Sequence, residues 1–230
     1  MDESFGSRAL DFYKSLTSPR VPRGVVVMNP YTDARTINCV SGFLARFFSD
    51  NDDRVLVFGI NPGRFGSGIT GVTFTDPVAL ADNCGIANDL GHRRELSCEY
   101  IYRVIEESGG VSDFYRRFFL SAVCPLGFTR DGVNVNYYDD RRLQDVVSPF
   151  IVSSIEKHLA IGGRSDHVII LGRGKNAKFF SALNDEHGWF SAVHVLDHPR
   201  FIMQYKRRQL PAYIREYIDT LTSINAELAE

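Results

Sequence analysis

The residues with chemistry to offer stand just past the ends of short apolar runs. Asn61 follows Val55-Leu56-Val57-Phe58-Gly59-Ile60 and precedes Pro62-Gly63. Pro62 keeps Asn61 out of the helical region, and Gly63 and Gly66 let backbone approach a ligand closely. The Asn amide is donor and acceptor at once, so it can hold a water against a substrate edge, although it is no strong base. The plainer reading is an Asn that closes a turn. His198 follows the run Ala192 to Leu196 and precedes Pro199 and a basic stretch. An imidazole there can stabilise a developing anion, or it is simply structural. His194 shares the face of His198's strand end but lies deeper, and reads as core. Gly172-Arg173-Gly174-Lys175 follows His167 to Leu171 and opens a helix. Backbone N–H groups at such a place bind anions, phosphates included. A tight strand–helix turn is the alternative.

Other chemistries find little support. There is no GxSxG, no HExxH and no Cys–His pair on strand ends, which disfavours acyl transfer and zinc hydrolysis. The first strand end carries no carboxylates, which disfavours two-metal phosphotransfer. Gly59 to Gly66 fits neither the Walker pattern nor GxGxxG. Cys39, Cys84, Cys98 and Cys124 contain no CxxC pair, so they read as small buried thiols in a reducing compartment. No metal or cofactor is implied.

These residues need a frame to bring them together. The runs 55–60, 118–123, 167–171 and 192–196 are near-continuously apolar, as buried parallel strands are. Val25-Val26-Val27-Met28, bracketed by Pro22 and Pro30, reads as an edge strand. Phe128 to Asn134, with Asp131-Gly132 at its centre, reads as a hairpin. Helical patterns lie between. One follows Ser41 through Phe48, a second runs from Tyr100 to Ile105, and a third from Leu143 to Ile155 with Pro149 interrupting it. A fourth spans Phe179 to Leu183, and the last runs from Tyr205 to Leu221 near Pro211. Alternating strands and helices predict one doubly wound α/β domain over residues 1–230. In such a domain the C-terminal strand ends face one crevice.

The chain has 230 residues, 44% hydrophobic and 23% charged, with a formal net charge of −2. That is ordinary globular composition. The longest stretch without Asp, Glu, Lys or Arg is Phe118 to Thr129, far short of the roughly 20 residues that span a membrane. The acidic Met1-Asp2-Glu3-Ser4 start lacks the apolar run of a secretory leader, so a cytoplasmic location is expected. Charge is unevenly spread: residues 173–208 carry +4 and the rest −6. A polyanion is therefore a candidate partner for one face, and a membrane is not.

The run Gly59-Ile60-Asn61-Pro62-Gly63-Arg64-Phe65-Gly66, continued by Thr70-Gly71-Val72-Thr73-Phe74, resembles the first motif of SMUG-type uracil-DNA glycosylases. Cys124-Pro125-Leu126 and His198-Pro199 resemble the later motifs in order and separation. The resemblance covers residues 55–205 and is nearest to a divergent bacterial SMUG-like branch. It implies a three-layer α/β/α fold around a mainly parallel four-stranded sheet. It also implies a monofunctional glycosylase of base excision repair that removes uracil or a related damaged base from single- or double-stranded DNA.

By the same resemblance, Asn61 positions the attacking water and His198 stabilises the departing base anion. Phe74 stacks on the flipped base, and Ile60 backbone and Gly63 border the pocket near the ring's C5 edge, with room for a 5-substituent. The family's base-reading Asn, two residues before the Cys, is Ala122 here. Ser121 is the candidate replacement, although strand alternation aims it away from Ala122. Gly172, Arg173, Gly174, Lys175, Pro199 and Arg200 are expected at the DNA, with Arg200, Phe201, Ile202 or Met203 filling the gap left by the flipped base and Arg200 favoured. A monomer is expected. Two alternatives stay open: a non-catalytic lesion binder on the same fold, and a nucleotide-binding enzyme using the Gly172–Lys175 loop.

Overall fold

The computed structural model describes residues 3–227; Met1 and Asp2 of the acidic start, and the last three residues, lie outside it. In chain order the elements are α1 (Phe5–Ser15), β1 (Val25–Met28), α2 (Ala34–Phe47), β2 (Arg54–Gly59), α3 (Ser67–Thr70), α4 (Pro77–Asp82), α5 (Leu96–Glu107) and α6 (Val111–Tyr115). They continue with β3 (Phe118–Ala122), β4 (Gly127–Arg130), β5 (Val133–Val135), α7 (Arg141–Gly162), β6 (Gly163–Leu171), α8 (Lys175–His187), β7 (Ala192–Leu196), α9 (Pro199–Tyr205) and α10 (Leu210–Glu227).

The four apolar runs pair as a parallel sheet in the order β3-β2-β6-β7. Strand β2 is buried along its whole length, as a central strand covered on both faces must be. Helices flank the sheet as the outer layers of an α/β/α sandwich. On one face Phe58 and Ser121, neighbours in register, meet His158 of α7, which in turn lies edge-on to Phe12 of α1. Elsewhere α5 packs against α9 and α10, with Tyr100 edge-on to Tyr217.

The remaining strands form a separate antiparallel sheet, β1-β4-β5, with β1 at its edge. Its hairpin turns at Asp131 and Gly132, both with positive φ, the geometry of a type I′ turn. Arg54, fully buried at the foot of β2, is matched by Asp50 at 2.8 Å, by the carbonyls of Asp52 and Tyr115, and by the rings of Phe5 and Phe48.

Three helix readings needed correction. Helix α2 begins at Ala34, well before Ser41, because the Asp33 side chain caps it through Arg35 N–H at 2.8 Å. Pro149 does not interrupt α7, which runs unbroken for 22 residues. Pro149 is exposed, so the carbonyl it orphans meets water, while buried Leu143, Val147, Ile151 and Ile155 hold both halves to the core. The last pattern is two helices: α9 ends at Tyr205 and α10 restarts at Leu210, with Pro211 in its first turn, where a missing N–H costs nothing. Among the described residues no helix is long and apolar enough to cross a membrane.

Candidate active site

Parallel pairing places Gly59, Ala122, Leu171 and Leu196 at one end of the sheet. The loops leaving these strands enclose a cleft of about 980 Å³, lined by Asn61, Phe74, Glu95, Ala122, His198 and Arg200 among others. The motif after β2 is tied to the one after β3 by backbone bonds, Val123 N–H to Gly59 O at 3.0 Å and Cys124 N–H to Ile60 O at 3.1 Å. Cys124 itself is fully buried, and burial pushes its thiol up to about 12, so it offers no thiolate.

Asn61 is clamped at both ends of its amide. Its Oδ1 accepts from Tyr137 N–H at 3.1 Å and its Nδ2 donates to Val135 O at 3.3 Å. This leaves one oxygen lone pair and one N–H for anything in the cleft. The amide plane is fixed by the backbone of Val135, the last residue of β5, and of Tyr137 just beyond it, so it is set before any ligand arrives.

His198 caps α9: its Nδ1 accepts from Arg200 N–H at 3.2 Å. Burial first, and the Arg200 charge second, push its pKa down to about 4. The ring is therefore neutral at pH 7. Because Nδ1 is the acceptor, the proton sits on Nε2.

Phe74 lies against His198, ring centroids 5.7 Å apart, with its backbone in the left-handed region at φ 53°. Its ring also occupies the space beside Gly59, where a Cβ would come within 2.8 Å of Cζ. Gly59 is glycine because the ring is there. Holding a phenylalanine in that backbone conformation costs about 1–3 kcal/mol, the kind of strain that survives where surrounding structure over-determines it.

Ile60 and Gly63 border the cleft. The room expected beside Gly63 is partly taken, however. The Glu95 carboxylate lies over the loop, with Oε1 3.1 Å from where a Gly63 Cβ would stand and Oε2 where it would collide with a Gly66 Cβ. Burial raises the Glu95 pKa, opposed by the Arg200 charge. Asp76 holds the segment by accepting from Glu95 N–H at 2.8 Å while capping α4. Asn134 from the β4–β5 hairpin also reaches the loop, accepting from Arg64 N–H at 3.3 Å.

Ser121 is a correction. It lies on the far face of β3, its Oγ 2.7 Å from His158 Nε2, and takes no part in the cleft. Strand alternation decides this: Ala122 faces the cleft, so its neighbour cannot. The DNA-facing set is also divided. Arg200 is exposed and free of ion pairs among the described residues, whereas Arg173 is engaged by Asp197 at 3.2 Å and Glu216 at 2.6 Å. Gly172 donates its N–H to Leu196 O, which removes it as an anion donor. Gly174, at φ 82°, starts α8 with no side-chain cap, and Lys175 Nζ stands 6.0 Å from the Tyr138 ring centroid. Pro199 is buried as the first residue of α9 and presents no contact surface.

Sequence reasoning missed Glu95, Arg93 and Asn134. The signal for the first two was the His92-Arg93-Arg94-Glu95 cluster before an amphipathic helix. Nothing in the spacing placed it over the loop after β2.

A family model for the uracil DNA glycosylase superfamily matches residues 45–222. No curated protein sequence matches the chain at a significant level. Among solved structures, wild-type SMUG2 of Pedobacter heparinus superposes with a TM-score of 0.94 at 38% identity, over 97% of this chain and 99% of that one. With the motifs after β2, β3 and β7 gathered around one cleft, the chain belongs to the uracil DNA glycosylase superfamily, as a SMUG-type member.

Proposed function

We propose that the protein is a monofunctional DNA glycosylase that hydrolyses the N-glycosidic bond of an extruded uracil or related damaged base, 5-hydroxymethyluracil and xanthine included. One observation carries this reading: an anchored Asn61 amide and a neutral His198 imidazole share a cleft with Phe74. Extruding a base costs a few kcal/mol, and Phe74 supplies an aromatic face against which it stacks. As the glycosidic bond breaks, electrons move onto the base. The His198 Nε2–H donates to that developing anion, an interaction worth about 2.7–4 kcal/mol by analogy with oxyanion donors. Asn61 orients a water toward the cationic sugar carbon with its free lone pair. No lysine lines the cleft among the described residues, which favours an abasic product with an intact backbone over Schiff-base chemistry.

Ala122 removes one base-reading side chain, so recognition passes to the groups that remain. The Glu95 carboxylate, lying over the Gly63–Gly66 loop in the cleft, is an acceptor available to a hydroxymethyl O–H or a ring N–H. The test is single-turnover excision on single- and double-stranded oligonucleotides carrying uracil, 5-hydroxymethyluracil, xanthine or hypoxanthine, with alkali added afterwards. Alkali-dependent cleavage is expected, and Asn61→Ala should abolish it while leaving the protein folded. Absence of cleavage at every lesion by folded wild-type protein would refute the assignment, and cleavage by Asn61→Ala at the original rate would refute the site.

A further inference from the structure

Phe65, in the loop after Asn61, carries two arginines on one ring. The guanidinium carbon of Arg64 lies 4.4 Å from the ring centroid and that of Arg93 lies 3.6 Å from it. The two cations are thus within about 8 Å of each other. Arg64 spends one N–H on the Gly132 carbonyl. Among the described residues neither forms an ion pair, unlike neighbouring Arg94 with Asp82 or Arg173 with Asp197 and Glu216. Both side chains are exposed, and both line the cleft that holds Asn61 and His198.

Like charges repel, so an uncompensated pair at this distance is an arrangement that gains from an anion. The ring quadrupole offsets part of the repulsion and fixes each side chain's position. A guanidinium stacked on a ring still presents its N–H fork in plane, the geometry that matches a phosphate. The pair is built from the loop after β2 and the segment before α5. It is therefore separate in sequence from the 173–208 stretch, where Arg173 is already neutralised by its acidic partners.

We infer that Arg64 and Arg93, clamped on Phe65, form a phosphodiester-binding arm that grips the backbone of DNA beside the extruded nucleotide. This rests on the glycosylase reading: Arg64 and Phe65 lie within the first motif and Arg93 outside it, and neither arginine was among the residues expected at the DNA. A purely structural stack is the competing explanation, and the two separate by counterion release. Each lost phosphate contact lowers the slope of log K against log salt by about 0.9 on duplex DNA and about 0.7 on single strands.

The experiment is fluorescence anisotropy of a labelled, undamaged oligonucleotide between 50 and 200 mM salt (an order-of-magnitude working range). Arg64→Ala and Arg93→Ala should each flatten the duplex slope by about 0.9, and the double variant by about twice that. Arg93→Lys, which keeps the charge but loses the fork, should keep the slope while weakening affinity. Lys157→Ala, near the C-terminal end of α7, should match wild type. Thermal melts accompany each variant. Folded alanine variants with the wild-type slope would overturn the inference, and a lowered melting temperature with an unchanged slope would assign the stack to structure alone. Wild type that excises and binds while the variants match it sinks only this arm; wild type with neither binding nor excision sinks the glycosylase reading along with it.

Discussion

The protonation state of His198 gives the sharpest test of the site. With a pKa of about 4, some 1% of the rings are charged at pH 6; at the ordinary value of 6.5, about three quarters would be. Protonation has a definite structural consequence. Nδ1 accepts from Arg200 N–H, and a proton there sets two N–H groups against each other and breaks the cap of α9. Activity should therefore be flat from pH 8 to about 5.5 and fall only toward an apparent midpoint near 4. The assay is single-turnover excision of uracil at saturating enzyme across that range. Burial raises the Glu95 pKa above its ordinary value, so the limb is assigned to His198 only if it persists in Glu95→Gln. His198→Ala should slow excision roughly 100- to 1,000-fold, with DNA affinity changed far less. An acid limb centred near 6.5 would refute the reasoning, since it would mean that neither burial nor Arg200 holds the ring neutral.

Other consequences follow from single contacts. Gly59→Ala places a Cβ 2.8 Å from Phe74 Cζ; the ring must shift, at a cost of about 1–3 kcal/mol. We expect a folded protein with excision reduced at least tenfold, and wild-type rates would show that the ring's position is immaterial. Ser121→Ala should leave the ranking of lesions untouched and cost about 1–3 kcal/mol by unpairing His158, read as a lower melting temperature; an altered lesion ranking would restore Ser121 to the pocket. His158 is buried and neutral, its pKa pushed down to about 4 by burial. A depressed folded-state pKa gives stability that is present above the unfolded value of 6.5 and lost as pH falls through 4, roughly 3 kcal/mol in all. Urea midpoints should trace that loss in wild type and a shallower one in His158→Gln; parallel curves would contradict it.

The sheet was legible because β2, β3 and the second half of β6 are buried throughout and unbroken in apolarity, a local property of each segment, while half-buried β7 keeps enough of the same apolar run to be seen. Their ends then fell together by the rules of parallel crossover, which is why Asn61 and His198, 137 positions apart, could be assigned to one crevice. The helices were less legible where local chemistry competes with packing. Pro149 is a helix breaker by its own geometry, yet four buried residues on the same face carry α7 through it. Asp33 starts α2 by one side-chain bond that no periodicity records.

Glu95 shows where sequence reasoning runs out, and why. Gly63 and Gly66 announce that something approaches the loop closely, but a glycine does not say what. The natural inference is a ligand, and for Gly63 a substituent on the base. Here the approaching group is the protein's own carboxylate, delivered by a segment some 30 positions downstream and held there by Asp76. A carboxylate in a cleft proposed to take a polyanion is an electrostatic cost unless it is answered. Arg200 answers it from α9, lowering the Glu95 pKa against the larger effect of burial. The two charges are thus coupled across the cleft mouth. If Arg200 engages a phosphate, as proposed, Glu95 loses that counter-charge and becomes easier to protonate. A protonated Glu95 donates as well as accepts, so on the proposed reading the hydrogen-bonding pattern offered to a base would change with Arg200's engagement. On that reasoning Glu95→Gln, which fixes one donor and one acceptor at the same place, should change the ranking among lesions more than the rate on any one of them. Parallel single-turnover rates on uracil, xanthine and hypoxanthine measure this directly, and an unchanged ranking would place Glu95 outside the base pocket.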